Sequence, residues 1–212
     1  MTRSLNLGEL PLEKYQSFFQ VYVLIGLPGT GKTTLANMLY KEANRISQGG
    51  AVLVNRDALR CDALWETRKM PEDAKSWALA HMDIVVDAKE ESECQAALWK
   101  EANKRILILD GCHTNLKSLL KLIGWIRLQA SMNAIGRIKI YPIFVGDENS
   151  ECMHTLTDKQ EGDYSDFTDT KGTHSSLPRQ VFEKKREELH QLHIAENWGL
   201  FMDITDKYIE VK

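Results

Sequence analysis

The sequence lacks the features that mark membrane, secreted and zinc-clustered proteins. Its apolar runs fall well short of the roughly 18 residues that a membrane-spanning helix needs. Residues 1–15 contain no apolar stretch of the kind found in signal peptides. The four cysteines are widely spaced, with no CxxC pair, which argues against a zinc knuckle and indicates free thiols in a reducing compartment. These absences predict a cytoplasmic protein.

A general positive charge is also missing. The chain has 27 Lys and Arg against 30 Asp and Glu, so its formal net charge is −3. Proteins that bind long nucleic acids tightly are usually more basic, so any contact with nucleic acid must come from a local patch. Of the 212 residues, 43% are apolar, which is enough for a sizeable core. We expect residues 1–212 to form a single domain.

Short apolar runs alternate with helix-length segments along the chain. Near-continuous apolar runs are typical of strands buried in a parallel sheet. They lie at 21–25, 51–54, 106–109, 138–145 and, more weakly, 208–211. The segments predicted to be helical are 32–47, 57–104 in several pieces, 115–130 and 178–196. This alternation predicts a three-layer α/β fold with a central, mostly parallel sheet.

Residues 157–176 interrupt the alternation. This stretch is polar, acidic and poor in apolar residues, and it is long for a loop in a compact domain. We expect it to be a mobile lid or an insert. The helix after it is expected to begin at Pro178, because proline is favoured at the first helical position.

A phosphate-binding loop is the firmest functional signal. The motif G-x-x-x-x-G-K-T follows the first apolar run and opens a helix, which is the context that it requires. Its glycines let the backbone curl so that N–H groups and the helix N-terminus favour an anion. The lysine can reach the outer phosphates, and the threonine after it offers Mg²⁺ a hydroxyl ligand. The residues assigned to the nucleotide are Gly26, Gly29, Thr30, Gly31, Lys32, Thr33 and Thr34. Thr33 is also assigned to the metal.

We therefore predict that the chain binds ATP or GTP together with Mg²⁺. GTP-specific switches usually carry an N-K-x-D motif that reads the base. The nearest match, at Asn103 and Lys104, has no aspartate in the required place. From the 212 residues we expect a small phosphotransferase, since large motor ATPases are longer.

Charged residues follow the second and third apolar runs directly. Asp57 and Arg60 are three residues apart, so a helix starting there would place both on one face, at the sheet edge where α/β proteins bind ligands. A carboxylate there could accept a proton from an attacking hydroxyl, and an arginine could hold a phosphate. The plainer alternative is that Asp57 caps a helix and Arg60 is solvated. Asp110 ends the third run, where an acid can orient Mg²⁺ or simply cap a helix or turn.

The stretch GLPGTGKTT, followed about twenty residues later by VNRDALR, resembles the kinase domain of phage-type polynucleotide 5′-kinases. In that family the Asp of N-R-D-x-x-R is the general base for the acceptor hydroxyl, and the second Arg contacts the acceptor's phosphate. The resemblance implies these roles for Asp57 and Arg60. It continues at 106–116, where an apolar strand ends in Asp near a Thr-Asn pair, and more weakly at 171–189.

The lid of that family offers an arginine to the transferring phosphate. The matching position is Lys171, which carries the charge but lacks the bidentate fork of arginine. Arg179 is the other candidate for this role. An alternative is that the segment before Lys171 is an insert without a catalytic role, because it is rich in acidic residues. These residues are Asp158, Glu161, Asp163, Asp166 and Asp169.

The resemblance implies a kinase that uses ATP and Mg²⁺ to phosphorylate a hydroxyl on nucleic acid, in the host cytoplasm if a phage encodes the chain. The acceptor would be the 5′-OH of DNA or RNA, or the hydroxymethyl group of a modified base such as 5-hydroxymethyluracil in phage DNA. A kinase for a nucleoside, sugar or antibiotic hydroxyl is the alternative enzyme. A non-catalytic ATP-binding regulatory module is the alternative of another class.

Overall fold

The computed structural model of the protein describes residues 18–47, 50–59, 106–132, 137–147, 149, 179–194, 197–199, 205 and 209–211. The strands in these ranges are β1 (Phe19–Ile25), β2 (Ala51–Asn55), β3 (Ile106–Asp110), β4 (Ile138–Val145) and β5 (Ile209–Val211). The helices are α1 (Lys32–Ser47), α2 (Leu116–Met132) and α3 (Arg179–His193). The predicted strands and these three predicted helices are confirmed, with small shifts at their ends. Of the predicted helical region 57–104, the described part reaches only Leu59 and is helical.

The five strands form one sheet in the order β2-β3-β1-β4-β5, and each neighbouring pair is parallel. The carboxyl ends of the strands therefore lie at a common edge. The central strand β1 is buried along its whole length, which explains why it is apolar at nearly every position. The predicted α/β class with a parallel central sheet is confirmed.

Helices cover both faces of the sheet. On β1, Tyr22 and Leu24 pack towards α1, whereas Val21, Val23 and Ile25 pack towards α2 and α3. Helical spacing brings the apolar residues of each helix onto one face. The buried apolar residues of α1 are Leu35, Ala36, Leu39 and Ala43. Those of α2 are Leu119, Leu122, Ile123, Ile126 and Ala130. The result is the predicted three-layer arrangement.

The sequence predicts neither membrane-spanning helices nor paired cysteines. Among the helices that the structure describes, none combines the length and the apolarity that a membrane span requires. Cys112 lies within the described ranges and is a free thiol. The other three cysteines, the segment 157–176 and Pro178 lie outside these ranges.

Candidate active site

The loop between β1 and α1 makes a tight turn that depends on glycine. Gly26, Gly29 and Gly31 have φ values of 154°, 80° and 91°, in a region that side chains with a Cβ rarely adopt. The N–H of Leu35 donates to the carbonyl of Gly31 at 3.0 Å, which closes the first turn of α1. The helix therefore opens directly from the loop. Its first N–H groups and its dipole suit this place to a phosphate.

Lys32 is folded into this loop. Its side chain is buried, and its amine donates to the carbonyl of Leu27. The Thr30 hydroxyl donates to the same carbonyl at 2.8 Å. A buried ammonium group costs free energy unless polar partners surround it, and the loop backbone supplies one. A phosphate oxygen would be a stronger partner, because it offers a full negative charge where the carbonyl offers a dipole.

Gly26 lies where three elements meet. Its N–H donates to the carbonyl of Cys112 at 3.1 Å, which ties the loop to the segment after β3. A Cβ built on Gly26 would lie 2.4 Å from the carbonyl oxygen of Val145, at the end of β4. A side chain therefore has no room at this position. This close approach of two backbones gives the first glycine of the motif a packing reason in addition to its φ value.

We expect Gly26→Ala to lower the free energy of unfolding by about 2 kcal/mol or more, because both its φ and the Val145 carbonyl oppose a methyl group. Urea denaturation measures the change. The matched control is Gly124→Ala on the exposed side of α2, where an added Cβ meets nothing within 4 Å. There the same methyl group should stabilise by about 0.5–1 kcal/mol, since glycine is a poor helix former. Equal effects at the two positions would contradict this account of the loop.

Asp110, the last residue of β3, is buried among polar side chains. It accepts a hydrogen bond from the Thr33 hydroxyl and another from the side-chain amide of Asn55, the latter at 2.7 Å. The Lys32 ammonium and the Asp57 carboxylate are close enough to act on its charge. Burial raises the pKa of Asp110, and Asp57 adds to the rise. The hydrogen bonds and Lys32 lower this pKa, but they do not cancel the rise.

The fold thus brings together four predicted site residues from three separate segments: Lys32, Thr33, Asp57 and Asp110. Thr33 and Asp110 offer oxygen donors beside the loop, and Mg²⁺ prefers such donors with water and phosphate oxygens as its other ligands. Within the described ranges no three His, Cys, Asp or Glu side chains cluster as a metal site. These residues therefore fit a Mg²⁺ ion shared with phosphates, and they do not form a closed protein cage.

Asn55 has two roles that the sequence reasoning missed. Its side-chain oxygen accepts the N–H of Ala58 at 2.8 Å, which makes it the N-cap of the helical stretch that begins at Arg56. Its amide also donates to Asp110. The capping residue is therefore Asn55 rather than Asp57, which lies in the first helical turn. The asparagine of N-R-D-x-x-R was the signal that could have revealed this.

The segment after β3 contains a residue with an unusual backbone. His113 has a φ of 45° and is buried, and such values are uncommon for residues other than glycine. A Cβ at Gly111 would lie 2.9 Å from Nε2 of His113 and 2.8 Å from Cδ of Arg56. The imidazole and the stem of Arg56 therefore fill the space over Gly111. His113 therefore has a packing role against Gly111.

The remaining predicted residues lie partly within the described ranges and partly outside them. The predicted nucleotide residues between Gly26 and Thr34 all lie in the loop or the first turn of α1. Arg60 and Lys171 lie outside the described residues, so their roles stay predictions. Arg179 is the first residue of α3.

Comparisons with known proteins find likenesses among solved structures. No family model and no curated protein matches this chain. Among solved structures, the crystal structure of a fungal RNA kinase matches with 13% identity and a TM-score of 0.46. The match covers 93% of this chain but only 39% of the fungal one, so the chain spans well under half the length of that protein. A likeness this distant carries no information about the reaction.

We expect Asp110→Asn to raise the melting temperature of the metal-free protein at neutral pH. The pKa of Asp110 is higher in the folded protein than in the unfolded chain, so its contribution to stability is lost as pH rises from about 3.9 through the raised value. Asparagine carries no charge to bury, so the advantage of the variant should grow across this window and vanish at more acid pH. Thermal unfolding at several pH values measures it. A difference that does not change with pH would contradict the assigned pKa shift.

Proposed function

We propose that the protein is a kinase that uses ATP and Mg²⁺ to phosphorylate a hydroxyl group of a nucleic acid. One observation carries the proposal: Asp57 lies close enough to Asp110 to raise its pKa, while Asp110 is bonded to Thr33 and close to Lys32. Binding a nucleotide with its metal requires Lys32, Thr33 and Asp110. It does not require a second carboxylate. Transfer to a hydroxyl does, because a positioned base must accept the hydroxyl proton.

Each residue then has a defined task. The loop backbone and Lys32 would hold the outer phosphates, and Thr33 and Asp110 would hold a magnesium ion that neutralises phosphate charge. The acceptor oxygen attacks the γ-phosphorus as its proton passes to Asp57. The bond from the γ-phosphorus to the bridging oxygen breaks, and ADP leaves with that oxygen. Most of the rate enhancement comes from positioning and charge, as is usual in phosphoryl transfer.

The acceptor would approach over the carboxyl ends of β2 and β3. The ends of parallel strands are where α/β proteins bind ligands, and the loop after β1 takes the nucleotide phosphates. Arg60 is the third residue after Asp57 in the N-R-D-x-x-R pattern, so we assign it to a phosphate of the acceptor strand. Lys171 or Arg179 would supply the lid charge. A 5′-OH and a hydroxymethyl group on a modified base both satisfy this arrangement.

A small-molecule kinase is the second candidate. The net charge of −3 favours it over a protein that binds a long nucleic acid. The two candidates differ only in the acceptor. A non-catalytic ATP-binding module would leave Asp57 without a task beside the phosphate site.

The test offers γ-labelled ATP with three acceptors: 5′-OH oligonucleotides, DNA that contains hydroxymethyl bases, and free nucleosides. Digestion and mass spectrometry then locate the phosphate. We expect label on a nucleic acid, at its 5′ end or on the modified base. Label on nucleosides alone would favour the second candidate, and no transfer to any acceptor would contradict the proposal. The Lys32→Ala variant, purified in parallel, controls for a contaminating kinase.

A further inference from the structure

Helix α3 contacts the loop between β3 and α2 through Glu188. The side chain of Glu188 is only 15% exposed. Its Oε2 accepts hydrogen bonds from the Thr114 hydroxyl and the Lys185 amine, each at 2.7 Å, and the Asn115 side chain gives a further one. Burial opposes the charge of this carboxyl, but the donors outweigh it, so the pKa of Glu188 lies below its ordinary value. Glu188 is therefore charged at neutral pH.

The loop that Glu188 holds is part of the candidate active site. It starts directly after Asp110, and the carbonyl of its Cys112 accepts the N–H of Gly26. Thr114, which bonds Glu188, is 1% exposed and so lies buried between this loop and α3. The loop ends at Asn115, whose side-chain oxygen caps α2. Because the loop is short, a displacement of Thr114 would be passed to the Cys112 carbonyl.

We propose that Glu188 is a positioning residue for the phosphate loop. Through Thr114 it holds the Cys112 carbonyl in the place where that carbonyl binds the Gly26 N–H. The charge on Glu188 strengthens the bond from Thr114, since charge-assisted hydrogen bonds are the strong ones. The effect of Glu188 on the Gly26 hydrogen bond does not depend on any ligand. An effect on the affinity for ATP rests on the proposed function. Glu188 thereby links the phosphate loop to the helix that follows residues 157–176 in the chain.

A second ion pair on α3 offers a matched control. Glu183 and Arg186 pair at 3.0 Å with the same spacing as Lys185 and Glu188, but their side chains are 46% and 39% exposed. Exposed pairs of this kind contribute little to stability. Replacing Glu183 therefore removes the same type of charge from the same helix without touching the β3–α2 loop.

The first test measures hydrogen exchange of the Gly26 amide by NMR in the nucleotide-free protein. Thr114→Val keeps the shape of the side chain but removes the hydroxyl that donates the hydrogen bond. Glu188→Ala removes the carboxylate that accepts it. Both should speed exchange at Gly26 by about tenfold, the value of one charged hydrogen bond. Thr114→Ser and Glu183→Ala should stay within about twofold of the parent. The double variant Thr114→Val, Glu188→Ala should exchange no faster than either single one, because the same contact is lost.

The second test measures the affinity for ATP with Mg²⁺ in the same proteins. We expect it to weaken about five- to tenfold in Thr114→Val and Glu188→Ala, and to stay at the parent value in the two controls. If Glu188→Ala does not fold, the comparison of Thr114→Val with Thr114→Ser decides the question. Parent-like exchange at Gly26 in folded Thr114→Val would overturn the inference, whatever the ATP result. If the parent fails to bind ATP, the proposed function fails, and the exchange at Gly26 alone decides this inference.

Discussion

Lys32→Ala is expected to reduce phosphoryl transfer by a factor on the order of 10³ and to weaken ATP binding. The amine of Lys32 lies inside the loop, on the carbonyl of Leu27, and close enough to Asp110 to lower its pKa. Alanine removes the positive charge that would meet the phosphates. It also leaves the buried Asp110 carboxyl without a compensating cation, which raises the pKa of Asp110 further and opposes metal binding.

The measurements are the transfer rate and calorimetric ATP affinity of the same protein. Lys41 supplies the control, because it is an exposed lysine on the same helix. Lys41→Ala removes an equal charge from α1 and should behave as the parent does. Near-normal turnover in Lys32→Ala would remove the assignment of the nucleotide site to this loop.

Asp57→Asn should slow transfer by a factor on the order of 10²–10⁴, the usual contribution of a positioned base. Asparagine keeps the shape of the side chain but cannot take the proton from the acceptor. ATP binding should survive, because Asp57 lies in the helical turn after β2 and not in the phosphate loop. We expect ATP affinity with Mg²⁺ to be no weaker than in the parent, because loss of the Asp57 charge removes one of the causes that raise the pKa of Asp110.

The decisive comparison is turnover against ATP affinity on this one variant. A large loss of turnover with unchanged affinity supports the base assignment. Transfer at the parent rate would mean that Asp57 is not the general base and that LVNRDALR is only a helix start capped by Asn55. The proposed kinase reaction would then lose its main support. A parallel loss of both quantities would instead assign Asp57 to nucleotide binding.

The sheet and the phosphate loop could be predicted because their signals are local. A strand buried on both faces, such as β1, must be apolar at nearly every position, so it is visible as a run. The glycine spacing of the loop reflects the positive φ values of Gly26, Gly29 and Gly31. The helix α1 begins at the residue predicted for it, because the motif itself ends the loop and starts the helix.

The side-chain partners of the site could not be predicted, because they depend on contacts between distant segments. Asn55 meets Asp110 because the register of β2 and β3 places these two residues opposite each other. A sequence does not show which register two parallel strands will adopt. The pairing therefore appears only in the fold.

Glu188 illustrates the same limit on a helix. The stretch 183–188 has the mixed charges that are typical of a solvated helix face, and Glu183 and Arg186 do form an exposed ion pair. Glu188 points the other way, because α3 packs through its neighbour Leu189 and through Leu192. Which face of a short charged helix turns inward depends on the partner surface. The sequence of the helix alone does not specify that surface.

A crystal structure with Mg²⁺ and a non-hydrolysable ATP analogue tests the central claim most directly. We predict that the triphosphate lies in the loop from Gly26 to Gly31 with its γ-phosphate on Lys32, and that Thr33 ligates the metal. The carboxylate of Asp57 should face the γ-phosphate from the side of β2, with room for one acceptor hydroxyl between them. A triphosphate bound outside this loop, or an Asp57 carboxylate turned away from the γ-phosphate, would contradict the account.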